Sequence, residues 1–399
     1  MKYIVLVPDG MADYPIKELG DKTPLEVAHK TNMDYMAQHG MVGLVQTIPP
    51  NMPPGSDIGN LAIMGYNPEK CFSGRAPLEA ANLGVTLQED EIAFRCNLVT
   101  VGNNKMADYS AGHISDKEAG ELIDSLNAQK IPDVKFYTGK SYRHIAVIKS
   151  RQVKELFEIK CIPPHDILGQ DVARYLPRGK HNEILLSLME RSKKVFEHHP
   201  INHVRVDLKE NPANMIWLWG QGIKPQLPLF TEKFQIQGSV ISAVDLVNGI
   251  GRLAGLEVIK VPGATGYYDT NYLGKAQYAL ESLKKKDFVF LHLEATDEAG
   301  HNGDLRMKIA CIEHFDREIV GTILNHFSAQ DDFRILISPD HATPIAKRTH
   351  TREPVCFLMY GKNIPTDTAD SYSEAAALAK GIKFESGEAM MNSFMKKYL

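Results

Sequence analysis

One ending, repeated three times, constrains this chain more than anything else in it. Lys2–Val7 (KYIVLV) runs into Pro8-Asp9-Gly10, Phe288–Leu293 (FVFLHL) into Glu294 and Asp297, and Phe333–Ser338 (FRILIS) into Pro339-Asp340-His341. Near-continuous apolar runs of this length read as parallel strands buried on both faces. Parallel strands of one sheet finish at the same edge, and open α/β sheets bind their ligands there. The three runs would thus deliver Asp9, Asp297 and Asp340 to one place. His301, four residues after Asp297, shares its face if even one helical turn follows the strand. His341 adjoins Asp340. His350 lies on the loop before a further apolar run, Val355–Tyr360, and is free to reach back over the same edge.

A hydroxyl is a candidate to join them. In Thr47–Pro68 (TIPPNMPPGSDIGNLAIMGYNP) two Pro pairs and Gly55 break the backbone, and Ser56-Asp57 opens a segment that can be helical up to Gly65. Ser56 has two readings. It is a good helix N-cap, and it is also a nucleophile at a helix N-terminus, where unpaired N–H groups and the dipole favour a transferred phosphate. A base or a metal would have to activate it. Asn60, one turn on, could reach the same phosphate. Arg75, in Gly74-Arg75-Ala76-Pro77, is either a bidentate phosphate clamp or a solvated surface arginine.

Composition narrows the class. A chain of 399 residues exceeds one compact core and implies two domains. With 43% hydrophobic and 24% charged residues it is an ordinary globular sequence, and a formal net charge of -4 argues against a nucleic-acid partner. No apolar run approaches the ~18 residues of a membrane span. The five cysteines are scattered without a C-x-x-C pair, which reads as reduced thiols and a cytoplasmic location. Met1 leads straight into the first strand, so no signal peptide is expected. Nothing in the sequence defines an oligomeric state.

The texture changes between about Glu89 and Pro228, where short β-like runs mix with helices. That stretch reads as an inserted α+β domain (residues 89–228) between two halves of a core (1–88 and 229–399). Two of its segments look chemical: Asp108–Ser115 (DYSAGHIS), with His113, and Ser141–His144 (SYRH), with Arg143 and His144. For each, a surface loop is the competing reading. Beyond residue 301 a long helix, roughly Asp304–Phe327, carries Glu313, His314, Asp316 and Arg317 as an expected solvated, ion-paired face.

Three carboxylates and three imidazoles around one hydroxyl suit two divalent ions that handle a phosphoryl group, one activating the nucleophile and both stabilising charge. Mixed Asp/His ligation suits Mn²⁺ or Zn²⁺ better than Mg²⁺ alone.

In order along the chain, Val7–Pro15 (VPDGMADYP), Pro53–Pro68 (PPGSDIGNLAIMGYNP), Gly74–Asn82 (GRAPLEAAN), CNLVT, SAGHIS, PPHDILGQ, WLWGQG, Ala295–Asp304 (ATDEAGHNGD) and Ser338–Pro344 (SPDHATP) form a specific set. Through them the chain resembles the alkaline phosphatase superfamily and, within it, the archaeal-type cofactor-independent phosphoglycerate mutases, over essentially its whole length. The resemblance implies an α/β fold: an alkaline phosphatase-like three-layer core with a mostly parallel sheet, plus an inserted smaller α+β domain that closes over it. It implies that Ser56 becomes phosphorylated during exchange of 3-phosphoglycerate and 2-phosphoglycerate. It assigns Asp9, Ser56, Asp340 and His341 to one metal and Asp297, His301 and His350 to another, with Mn²⁺ expected and Mg²⁺, Zn²⁺ or Co²⁺ as substitutes. His113 looks like the acid/base histidine, and Arg75 and Arg143, with His144 and Asn60, like substrate contacts. Relatives assigned as homoserine kinases keep the same machinery, and water reaching phospho-Ser56 would make a phosphomonoesterase, so both remain alternatives. A metal-stabilised binding protein would not need Ser56 or the full ligand set.

Overall fold

The amino-terminal apolar run becomes a central strand of an eight-stranded sheet, flanked on both sides by the other two runs. These relations come from a computed structural model that describes residues 1–328 and 331–396. In chain order the strands are β1 (Lys2–Pro8), β2 (Met41–Val45), β3 (Glu91–Gly102), β4 (Lys105–Asp108), β5 (Val134–Lys140) and β6 (Arg143–Lys149). They continue with β7 (Met215–Ile223), β8 (Gly238–Ile241), β9 (Glu257–Ile259), β10 (Phe288–Leu293), β11 (Phe333–Ile337), β12 (Val355–Gly361) and β13 (Lys383–Phe384). The chain divides into two compact units, Met1–Phe72 with Gln226–Leu399, and Ser73–Pro225.

The first unit's sheet has the order β13-β2-β12-β11-β1-β10-β8-β9. Only β12 opposes the rest, pairing antiparallel with both β11 and β2. Register places Pro8 beside Leu293 and Leu6 beside Ile337, so β1, β10 and β11 end together. Alternation then sorts their side chains between two helical layers. Ile4, Leu6, Leu291 and Ile335 pack with Met33 and Met36 of helix Thr31–Gln38, Ala276 of Tyr272–Leu283 and Ile312 of Leu305–His314. On the opposite face Tyr3 meets Phe394 and Phe288 meets Phe230, and helices Ser56–Ile63, Asp245–Leu253 and Gly387–Met395 pack together. Each fully buried Leu, Ile or Phe contributes about 1.5–3 kcal/mol, so this double-sided burial holds the strand ends in place. The α/β class with a mostly parallel sheet is the one expected.

The long helix expected over roughly Asp304–Phe327 runs as Leu305–His314, a π-helical segment Phe315–Val320 and Gly321–Leu324, and its acidic face also differs from expectation. Asp316 is not solvated: it is buried and accepts from Met33 N at 2.7 Å and Asn32 N at 3.2 Å, closing the first turn of helix Thr31–Gln38.

In the second unit β4-β3-β6-β5 form an antiparallel sheet with β7 on β3. One face packs Phe94, Cys96 and Leu98 under helices Asp116–Asn127 and Glu183–Glu197. The other packs Ala93, Ile145 and Val147 against Ala76 and Ala80 of helix Arg75–Asn82. That helix moves the unit boundaries from the expected 88/89 and 228/229 to Phe72/Ser73 and Pro225/Gln226. Its alanine face packs on this smaller sheet. Within this unit Ser73 and Ile223 are tied together by backbone and side-chain hydrogen bonds.

Candidate active site

The aligned strand ends carry the chemistry. Asp9 follows β1. Asp297 and His301 lie on helix Ala295–Asn302, which starts just past β10. Asp340 and His341 follow β11. Because β12 runs against its neighbours, the loop before it opens at the same edge and brings His350 there. Helix Ser56–Ile63 comes close because Gly59 lies against Asp340, where a Cβ would meet the Asp340 carbonyl oxygen. Gly10, with φ +58°, likewise lets the chain after Asp9 turn under Asp297, a place a side chain would fill.

Two groups of ligand-type atoms result. His341 Nε2 lies 3.1 Å from Ser56 Oγ and 3.4 Å from both Asp9 Oδ1 and Asp340 Oδ2. His301 Nε2 lies 2.9 Å from His350 Nε2 and 3.1 Å from Asp297 Oδ2, and His350 Nε2 is 3.6 Å from Asp297 Oδ1. The His341 and His350 rings are 4.0 Å apart, joining the groups into one site. Asp9, Asp340 and His341 could hold one metal ion, and Asp297, His301 and His350 another. The residues fit such ions. Asp9 Oδ1 is buried without a hydrogen-bond partner. Burial, then Asp340, Glu294 and Asp297, push the Asp9 carboxyl well above the usual carboxylate range. His301 Nε2 and His350 Nε2 face each other at 2.9 Å with the Asp297 carboxylate 3.1 and 3.6 Å away, so all three converge on one point. A cation would relieve the two conflicts at Asp9 and fit that convergence.

The Ser56 side chain does not cap its helix. Gly55 takes the cap position and no side chain bonds there, which leaves the hydroxyl on His341. Asn60 departs from the expected phosphate contact. It is fully buried, and its Nδ2 donates to Asp340 Oδ2 and to Ser56 O, both at 2.9 Å, so it braces the serine against the acid.

Sequence reasoning passed over the supports. His292 donates from Nε2 to Asp9 Oδ2 at 2.8 Å while its Nδ1 lies 3.2 Å from Ser242 Oγ. Burial pushes this imidazole down to about 3, so it is neutral and presents a single proton. Asp9, His292 and Glu294 form a third metal-type group, but Lys275 Nζ sits 3.0 Å from the His292 carbonyl and supplies positive charge there. Thr343 Oγ1 donates to Asp297 Oδ1, and Thr296 Oγ1 to the Asp9 carbonyl. Lys308, fully buried, ties Asp13 at 2.8 Å to the Thr343 carbonyl at 2.9 Å, joining the loops after β1 and β11. The one legible signal was His292 itself. A lone polar residue inside a buried strand must find a partner.

In the second unit His113 is exposed, on three successive left-handed residues, Ala111 (φ 49°), Gly112 (φ 68°) and His113 (φ 50°). Such strain, about 1–3 kcal/mol for each non-glycine residue, is held by Asp108 and Arg205. Asp108 accepts from Ser110 N and Gly112 N, and Arg205 Nη2 donates to the Ala111 carbonyl at 2.8 Å. Arg75 opens helix Arg75–Asn82, with Nε on Glu79 Oε1 at 3.2 Å. Arg143 is exposed at the start of β6, 5.5 Å from the Tyr142 ring. His144 corrects the expectation of a substrate contact. Successive strand residues point to opposite faces, so Arg143 faces outward while His144, opposite Cys96 and 2% exposed, turns into the apolar core. There Nδ1 accepts from Gly139 N at 3.1 Å, and burial pushes the imidazole down to about 4.

Fold and site define an α/β enzyme with an acid-and-imidazole centre at the carboxyl edge of a parallel sheet. A family model described as 2,3-bisphosphoglycerate-independent phosphoglycerate mutase matches residues 37–202. A relative of that name from Methanosarcina acetivorans is 51% identical over 99% of this chain and 96% of its own. A probable one from Geobacter sulfurreducens is 47% identical over 100% of both. Among solved structures, the PH0037 protein of Pyrococcus horikoshii matches at TM-score 0.84 with 32% identity, covering 100% of this chain and 99% of that one. The cofactor-independent phosphoglycerate mutase of Thermoplasma acidophilum matches at TM-score 0.69 with 25% identity and 99% coverage of both. The chain belongs to the 2,3-bisphosphoglycerate-independent phosphoglycerate mutase family and is an isomerase of that kind. Among the described residues no helix is long and apolar enough to cross a membrane.

Proposed function

We propose that the enzyme interconverts 3-phosphoglycerate and 2-phosphoglycerate through a phosphoserine at Ser56. The observation that carries this reading is the Ser56 hydroxyl, set 3.1 Å from His341 Nε2 beside the buried Asp9 and Asp340 instead of capping its helix. Asp9, Ser56, Asp340 and His341 would hold one divalent ion and Asp297, His301 and His350 the other, with Mn²⁺ favoured by the mixed donor set and Mg²⁺, Zn²⁺ or Co²⁺ able to substitute. When bound, these ions lower the serine pKa and neutralise phosphoryl charge. Ser56 Oγ, already deprotonated to the alkoxide, forms the new P–O bond as the bond from phosphorus to the substrate's 3-oxygen breaks, and that oxygen takes a proton from His113. The 2-hydroxyl of the retained glycerate then gives its proton to His113 and attacks phosphoserine, which frees Ser56. Arg75 and Arg143 contact the substrate's anionic groups. The five unpaired cysteines accord with a cytoplasmic setting.

The test is a coupled assay with Mn²⁺, 3-phosphoglycerate and enolase, without 2,3-bisphosphoglycerate. Formation of 2-phosphoglycerate is the expected result. Silence there, with product from homoserine and ATP or with phosphate release from simple esters, would move the function to a kinase or a phosphatase on the same centre.

A further inference from the structure

On the second unit's sheet, β3 carries an arginine that the steps above leave unused. Arg95 is 7% exposed. Its Nε donates to Glu79 Oε2 at 2.9 Å, and its guanidinium lies over the Trp219 ring, 4.0 Å from the centroid. Trp219 is pinned in turn. Its Nε1 donates to Asn97 Oδ1 at 3.1 Å, and the His165 ring meets it edge-on at 5.4 Å. One edge and one face of the Arg95 fork are therefore spent. Its two terminal nitrogens have no hydrogen-bond partner among the described residues and are reached by solvent.

The charge within this unit concentrates on Glu79, which bonds Arg75 through Oε1 and Arg95 through Oε2. Burial pushes Glu79 up, but Arg95 and then Arg75 outweigh it and hold the carboxyl below the usual range. This one carboxylate serves both guanidiniums, while Arg143 adds further repulsion at Arg95. A nearly buried guanidinium whose remaining donors are open only to solvent is placed to take an anion there. The open edge offers two parallel N–H groups in a fixed plane, which matches the two oxygens of a carboxylate.

We propose that Arg95, oriented by Glu79 and Trp219, binds the carboxylate of the phosphoglycerate and so selects a phosphorylated acid over a phosphorylated alcohol. The proposal rests on the mutase reading above. When a phosphoryl group moves between two hydroxyls, the carboxylate is the charged group that substrate and product hold in common. A rigid fork is suited to such an unchanging handle. Arg95 is then a specificity-determining residue, and Glu79 a positioning residue that sets the plane of the fork.

Calorimetry on the full-length, Mn²⁺-loaded protein tests this with two ligands, 3-phosphoglycerate and glycerol 3-phosphate, which lacks the carboxylate. Arg95→Met should weaken 3-phosphoglycerate by about 10- to 100-fold, the loss of a charge-assisted pair. Glycerol 3-phosphate should change by less than about threefold and doubles as the check that the variant is folded. Arg95→Lys should fall between, since an ammonium lacks the fork, and it carries the comparison if the methionine variant unfolds. Glu79→Gln should raise KM for 3-phosphoglycerate with little change in kcat, a split that a merely structural carboxylate would not produce. Equal weakening of both ligands, or of neither, overturns the proposal. Wild-type protein that discriminates the two ligands but does not convert 3-phosphoglycerate defeats the mutase reading alone. Conversion with Arg95→Met behaving as wild type defeats the carboxylate site alone.

Discussion

In the first unit the site is built from acids and imidazoles sealed at a sheet edge, with Asp9, Asp340 and His341 each 0% exposed, whereas in the second unit the candidate groups are a histidine and arginines with His113 and Arg143 in the open. The first set is over-determined. Every carboxylate has a brace, from His292, Asn60 or Thr343, and what the cluster lacks is positive charge. In the second set Glu79 bonds both Arg75 and Arg95, and the terminal nitrogens of Arg95 have no hydrogen-bond partner among the described residues. On the proposed reading one region would receive cations and the other an anionic substrate. The carboxylates of the first set are buried, while His113 and Arg143 of the second lie at a turn and a strand start.

The sharpest way to break the comparison is at Ser56. Ser56→Ala should lower turnover by about 10³-fold or more while near-ultraviolet circular dichroism stays unchanged; residual activity above a few per cent of wild type would remove Ser56 as the phosphoryl carrier. Chelation should come next, abolishing activity until Mn²⁺ is returned. It should also lower Tm, because ions at 100-fold their Kd stabilise the fold by about 2.7 kcal/mol. A protein indifferent to chelator in both readouts would dissolve the cation-receiving half of the contrast.

Bracing can be measured separately from ligation. His292→Ala, which removes the donor to Asp9 Oδ2, should raise the Mn²⁺ concentration needed for half-activation by about 10- to 100-fold, and an unchanged titration would mean Asp9 needs no such support. In the second unit Arg143→Ala should raise KM for 3-phosphoglycerate about tenfold; no change in steady-state kinetics would return Arg143 to the solvated surface. The smallest effect belongs to His144→Phe. This imidazole faces the core, so kcat/KM should change by less than about threefold, and a larger loss with Tm preserved would put the ring back in the substrate site.

Much of the first unit is legible in the sequence. Runs of consecutive apolar residues can be satisfied only by burial on both faces, so KYIVLV, FVFLHL and FRILIS had to be neighbouring inner strands, and their trailing Asp residues had to meet. The second unit was legible only as a change of texture. A helix of eight residues such as Arg75–Asn82 carries no label saying which sheet its alanines will cover, and the domain boundary followed that choice. Arg143 and His144 are adjacent letters, and the phase of the strand sent one outward and the other inward. Asp316 reads as a surface acid until its two backbone donors are seen. Local pattern determined which residues become strands and which Asp, Ser and His residues arrive at the sheet edge, because those follow from periodicity along the chain. Which polar groups are buried, braced or left with open donors was decided only by tertiary structure, since a hydrogen bond between residues 283 positions apart, such as that of Asp9 with His292, leaves no trace in the neighbours of either.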